Sequence, residues 1–140
     1  MKTIDELQAE IAGLKAILQK KDQEIETLEK AKNEGYVETF FGRRRPTPDI
    51  NSSNYMIREM AKRAAQNMPI QGTEADLMKR AMLIVDEKIT QAGLGEQILQ
   101  IHDSILIETP EENADKVAEI LKNVMEDVAP ELPVKLKVEV

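Results

Sequence analysis

The amino-acid sequence predicts an α+β protein: a small antiparallel sheet with helices laid on one face, preceded by a long helix with a heptad repeat. Three observations predict it. Apolar residues between positions 4 and 28 recur at alternating steps of three and four. Two short runs of branched aliphatics, near residues 97–101 and 105–108, flank a polar triplet in the manner of a hairpin. Prolines and glycines cut the remainder into segments of helical or strand length.

Residues 3–33 read as one helix. Thr3 with Glu6 three residues later is a capping-box start. Ile4, Leu7, Ile11, Leu14, Leu18, Ile25 and Leu28 form a heptad seam with a single miss at Lys21. So narrow a stripe needs another surface to bury against. Either the helix packs on its own domain, or it pairs with another helix. In the second case isoleucine at a and leucine at d favour two parallel strands, and residues 4–28 become a homo-oligomer contact. Asn33-Glu34-Gly35 ends the helix. Residues 36–41 alternate weakly, as a short strand would, and residues 42–53 read as a loop with two prolines and an Asn-Ser-Ser run. Residues 54–67 are helical up to Pro69, and residues 69–72 read as a turn. Thr73, with Asp76 at the capping-box position, then starts a second helix that runs to about Ala92. Gly93-Leu94-Gly95 stops it. After the hairpin, Pro110 opens a helix over residues 111–128, with Ala114, Val117, Ile120, Leu121, Val124 and Val128 on one face. Pro130 and Pro133 lead to a final strand over residues 134–140, which alternates apolar and charged residues. The expected division is a heptad helix over residues 1–34 and a second domain over residues 35–140.

Composition removes several classes of function. The 140 residues contain no cysteine, which excludes disulfides, thiolate zinc sites and a cysteine nucleophile. No apolar run approaches the about 20 residues that span a bilayer, so no membrane partner is expected. The first residues turn acidic at once and lack an apolar signal core, which points to the cytoplasm. The net charge of −7 is uneven. Residues 35–80 hold 8 basic against 5 acidic groups, whereas residues 81–140 hold 5 against 13.

Chemistry is concentrated at three places. His102-Asp103-Ser104 lies at the expected hairpin turn, where paired strands would hold the Asp103 carboxylate rigidly. Metal-assisted phosphoryl transfer needs such an oxygen ligand beside a second carboxylate. An aspartate is also an ordinary turn residue. Three consecutive residues at a turn diverge, so they cannot form a serine-histidine-aspartate relay. Arg43, Arg44 and Arg45 form the densest positive patch, which suits phosphate oxygens or simply a solvated loop. Arg63, Asn67 and Gln71 step by four, and all three can donate to minor-groove acceptors. Aromatic residues make up only 3%, which argues against a stacking platform for single strands.

These same residues carry a resemblance. Gly35-Tyr36-Val37-Glu38-Thr39, Gly42-Arg43-Arg44-Arg45 and Pro48-Asp49-Ile50 resemble one stretch of the family A (DNA polymerase I-like) DNA polymerases. The run from Arg63 through Met68-Pro69-Ile70-Gln71-Gly72-Thr73, with Ala75-Asp76 after it, resembles another. Gln100-Ile101-His102-Asp103 is similar to the family's third catalytic motif. The likeness covers about residues 24–140 and implies a palm-type sheet. It also implies that Asp103 is one of two aspartates holding catalytic magnesium, with His102 near the primer terminus. Arg63, Asn67 and Gln71 would contact duplex primer-template DNA on its minor-groove side, and Arg43, Arg44 and Arg45 would lie where palm meets fingers.

The departures shape the functional expectation. Ser104 stands where the family usually has a glutamate. The earlier motif with the second metal-binding aspartate is not among these 140 residues, nor are the nucleotide-gripping fingers helix and the thumb; a heptad helix stands in their place. One aspartate cannot clamp two ions. The expectation is a magnesium-dependent polymerase's palm fragment that binds DNA weakly and is inactive alone. The alternatives are an active split subunit that needs a complementary polymerase fragment, and a coiled-coil assembly module.

Overall fold

The computed structural model describes residues 1 and 3–140. It divides into two compact units, Met1–Gly72 and Thr73–Val140.

The first unit opens with helix α1, Ile4–Glu34. Its capping box is complete: Thr3 Oγ1 accepts from the Glu6 amide at 3.2 Å, and Glu6 Oε2 accepts from the Thr3 amide at 2.8 Å. Two of the orphan amides of the first turn are thereby satisfied. Gly35 ends the helix at φ +80°, a left-handed conformation that costs glycine little, and its amide donates to Ala31 O at 3.1 Å. Strand β1, Tyr36–Glu38, pairs antiparallel with β2, Arg44–Pro46. A short 3-10 turn, Pro48–Asn51, follows. The core of this unit is Ala31, Val37, Ile50, Ala65 and Met68, with Leu28 and Ala61 packed against it. Only the C-terminal end of α1 contributes to it. The rest of the seam is exposed: Ile4, Leu7, Ile11, Leu14, Leu18 and Ile25 are each at least 46% accessible.

Helix α2, Tyr55–Val85, is continuous, with Pro69 inside it. The expected turn at residues 69–72 and the new start at Thr73 are therefore corrected. An interior proline removes one hydrogen bond and crowds the carbonyl four residues back, at about 3 kcal/mol. Burial on either side opposes that cost: Ala65 and Met68 before it and Met78, Ala81 and Val85 after it are all buried. Tertiary packing overrides the local signal. A π-helical turn, Asp86–Thr90, ends the run.

The second unit holds hairpin β3, Glu96–Ile101, and β4, Ser104–Glu108, then a 3-10 turn, Glu111–Asn113, and helix α3, Ala114–Glu126. Its core is Val85, Ile89, Val117, Leu121 and Val124, with Ile105 and Ile107 packed on it from β4. Two separate two-stranded sheets result, rather than one. Residues 134–140 form no strand. Alternation supplies a face, but a strand also needs a neighbouring strand for its backbone groups; here Val138 N donates instead to a side chain, Glu126 Oε1, at 3.1 Å. No helix is long and apolar enough to cross a membrane, among the described residues.

Candidate metal and nucleic-acid site

Asp103 sits where the sequence places it. Ile101 pairs with Ser104, leaving His102 and Asp103 as a two-residue turn. Both are exposed. His102 has φ +52°, the one positive value found at a non-glycine residue among those described. The first central residue of a tight hairpin turn often needs a positive φ, where glycine is preferred. A histidine there carries backbone strain, and such strain persists where surrounding structure imposes it. Gln100 supplies part of that hold by donating its Nε2 to His102 O at 2.7 Å. The hairpin tip thus exposes an imidazole and a carboxylate on adjacent residues.

Magnesium takes several oxygen ligands in near-octahedral geometry. Asp103 offers one carboxylate. Among the described residues no three His, Cys, Asp or Glu side chains come together as a metal site. Ser104, the next residue, adds a hydroxyl and no charge. These residues on their own do not fit a two-ion centre.

In the first unit the three arginines do not act as one patch. A five-residue loop joins β1 to β2, closed by Thr39 N to Arg43 O at 2.9 Å and Gly42 N to Thr39 O at 3.0 Å. Arg43 donates its Nη2 to the carbonyl of Gly72 at 3.2 Å, fixing the loop against α2. Gly72 makes this approach feasible: a Cβ there would lie 2.7 Å from Thr39 Cγ2 and 3.3 Å from Arg43 Nη2. Arg44 stacks over the Tyr36 ring at 4.3 Å and lies 3.6 Å from Glu38 Oε2. Lys30 reaches the same carboxylate from α1 and also faces the Tyr36 ring, 5.2 Å from its centroid. The hydrogen bond from Lys30 holds the Glu38 carboxyl below its ordinary value, and the same bond raises Lys30. Arg45, paired across the strands with Val37, lines a cleft with Asp49, Ile57 and Met60.

Arg63, Asn67 and Gln71 are all exposed, on one face of α2, while Ala65, Met68 and Gly72 are buried on the other. The structure brings these three together as a polar stripe. They belong to the first unit, and His102 and Asp103 belong to the second. Sequence reasoning missed Lys30, Tyr36, Glu38, Thr39 and Gly72 as the parts that hold the arginine hairpin. Most of these contacts join residues in different elements, and Gly72 lies 29 positions from Arg43; only the Gly-Tyr-Val-Glu-Thr run hinted at them.

Comparison with known proteins gives a consistent result. The model of DNA polymerase family A matches residues 3–140. That match takes in α1 as well as the motifs from about residue 24 onward. The thermostable DNA polymerase I of Thermus thermophilus is 49% identical over 114 residues, covering 81% of this chain and 14% of that protein. DNA polymerase I of Deinococcus radiodurans is 48% identical over 114 residues, 81% of this chain and 12% of that protein. The POL domain of Pol1 from M. smegmatis, solved in complex with DNA primer-template and dNTP, superimposes with a TM-score of 0.79 at 40% identity. That superposition covers 84% of this chain and 21% of the other. The chain therefore spans about one seventh of the length of the curated relatives it matches.

Proposed function

Since the chain belongs to DNA polymerase family A, we propose that it is a palm segment of a template-directed DNA polymerase, carrying one of two metal-binding aspartates and part of the duplex-binding surface. Asp103 is the metal-binding carboxylate, and His102 lies beside the primer terminus. Arg63, Asn67 and Gln71 face the minor groove, and the arginine hairpin meets phosphates. The observation that supports this best is the strained turn. A left-handed histidine at a two-residue hairpin tip costs about 1–3 kcal/mol, which a merely structural turn would avoid by using glycine. Nucleotidyl transfer also needs a second carboxylate and groups that hold the incoming triphosphate. Those come from outside residues 3–140, so these residues alone bind DNA weakly and do not extend a primer. When bound, magnesium would supply charge stabilisation at the transferred phosphoryl group.

The test is primer extension by the purified chain, alone and with a polymerase fragment that supplies the other aspartate and the nucleotide-binding helix. No extension alone, and extension with the fragment that disappears in Asp103→Ala, is the expected result. Extension by the chain alone that survives Asp103→Ala would refute the assignment of Asp103. Restored extension would favour the split-subunit form of this reading.

A further inference from the structure

We propose that residues 4–25 of two copies of this chain wind into a parallel, in-register coiled coil that sets two arginine hairpins side by side. The proposal does not depend on polymerase chemistry.

The seam is helical and uncovered. Ile4 is 74% accessible, Leu14 61% and Leu18 63%, along one face of a helix whose capping is complete. Its far end is already used, because Leu28 and Ala31 pack into the core of the first unit. The free seam therefore ends after Ile25. Position types select the partner. Ile4, Ile11 and Ile25 occupy a positions, with Leu18 at the third of the four, and Leu7 and Leu14 occupy d. β-branched residues at a with leucine at d favour two strands.

Charge selects the orientation. In a parallel pair, Glu10 at a g position lies beside Lys15 at the e position of the second copy, and this contact occurs twice. Asp22 adjoins the Lys21 layer and compensates the charge placed there. In an antiparallel pair with the same layers filled, Lys15 faces Lys15, Glu10 faces Glu24, and Ile11 packs against Lys21. Each of those contacts is unfavourable. The parallel form has two repulsive contacts: Lys21 faces Lys21 in its d layer, relieved by the flanking Asp22, and Glu24 meets Glu29 where the seam turns into the core of the unit.

The consequence is spatial. Paired helices lie about 8–10 Å apart. In the parallel form both α1 helices end at the same place, and each passes through Gly35 directly into β1. The two β1–β2 hairpins, each with Arg43, Arg44 and Arg45, then emerge together.

The experiment uses the full chain. Light scattering in the micromolar range should give twice the chain mass, and Leu7→Lys/Leu14→Lys should halve it. The chain has no cysteine, so Ile4→Cys reports orientation without interference. In the parallel form it forms a disulfide-linked dimer on mild oxidation. In the antiparallel form position 4 faces position 28, about 36 Å from its own copy, at 1.5 Å per residue, and no such dimer forms. A monomer at every concentration, a mass untouched by the lysine pair, a three-copy mass, or a dimer that Ile4→Cys does not cross-link would each overturn the proposal. A mass that changes only when a complementary polymerase fragment is added would assign the seam to that fragment instead, and would overturn it equally.

Discussion

The two hairpins use the same motif and are braced to different degrees. β1–β2 has three residue pairs and is braced from outside: Lys30 of α1 holds Glu38, Thr47 Oγ1 donates to Ala31 O at 3.1 Å, and Arg43 reaches Gly72 O. β3–β4 is longer, bulged between Gln97 and Leu99, and seats only Ile105 and Ile107 in its core. Ile98, Leu99, Ile101 and Leu106 remain half exposed, and Glu96 stands opposite Glu108, a like-charge pair. A lone two-stranded sheet is marginal in water. The short hairpin is fixed by several polar contacts with helices and by Val37 in the core. The long one has one such polar tie among the described residues, Gln97 Nε2 to Met82 O at 3.0 Å. It depends on close backbone packing at its base and leaves its tip exposed with His102 and Asp103.

That contrast can be broken first at two glycines. A Cβ at Gly95 would lie 2.7 Å from the Glu108 carbonyl and 3.1 Å from Thr109 Cβ. Backbone cannot step aside cheaply, so Gly95→Ala should destabilise the second unit by about 1–3 kcal/mol. Gly72 meets a side-chain methyl at the same distance. Alanine also recovers about 1 kcal/mol of helix propensity there, so Gly72→Ala should cost about 1 kcal/mol or less. Adding Thr39→Ser removes the methyl, keeps the hydroxyl that accepts from the Arg43 amide at 3.2 Å, and should recover most of that loss. Urea unfolding checks both. Equal costs at the two glycines would mean that the hairpins are held alike.

Next is the strained tip. His102→Gly should stabilise β3–β4 by about 1 kcal/mol, because glycine adopts positive φ freely. Hydrogen exchange of the β3 and β4 amides would show increased protection. Reduced protection would mean that the imidazole itself holds the turn.

How much of this was legible depends on range. The start and end of α1 and the His102-Asp103 turn between two aliphatic runs follow from neighbours within a few residues, and the structure has them. The strand at Arg44–Pro46 was not legible, because it exists only by pairing with Tyr36–Glu38 and its residues are all exposed. Pro69 reads locally as a helix end, and only burial of Ala65, Met68 and Met78 around it keeps α2 continuous. Residues 134–140 have a strand's pattern and, among the described residues, no strand to pair with. Gly72 looked like a turn residue, while its reason is the methyl of Thr39, 33 positions away in the chain.

A smaller effect concerns pH in the first unit. Glu38 is held below its ordinary value of 4.5, first by the hydrogen bond from Lys30. A depressed carboxyl contributes stability above its unfolded value and loses it as pH falls through the folded one. Protection of the β1–β2 amides should therefore decline below about pH 4.5. Lys30 is raised above 10.5 by the same bond, so its contribution is lost only as pH rises beyond that value. Glu38→Gln should flatten the acid side of the profile, and an unchanged profile would place the brace elsewhere.

The smallest expected effect separates the three arginines. If they contacted phosphate as one patch, each alanine variant would weaken DNA binding equally. The structure gives them different tasks. Arg43 is tied to the Gly72 carbonyl, and Arg44 is stacked on Tyr36 next to the Glu38 carboxylate. Arg45 is exposed and enters no ion pair among the described residues. Each phosphate contact adds about one unit to the slope of log K against log salt. Fluorescence anisotropy with duplex DNA at low and moderate salt should show Arg45→Ala lowering that slope by about one unit, with Arg44→Ala lowering it less. Glu38→Gln should strengthen binding, because it removes a negative charge and releases both Lys30 and Arg44 toward phosphate. Arg43→Ala should act mainly through the loop, weakening binding together with amide protection in β1–β2. If Arg44→Ala proves the most damaging, with Glu38→Gln neutral, then Glu38 orients Arg44 for DNA rather than restraining it. The braced hairpin would in that case be the pre-organised DNA contact.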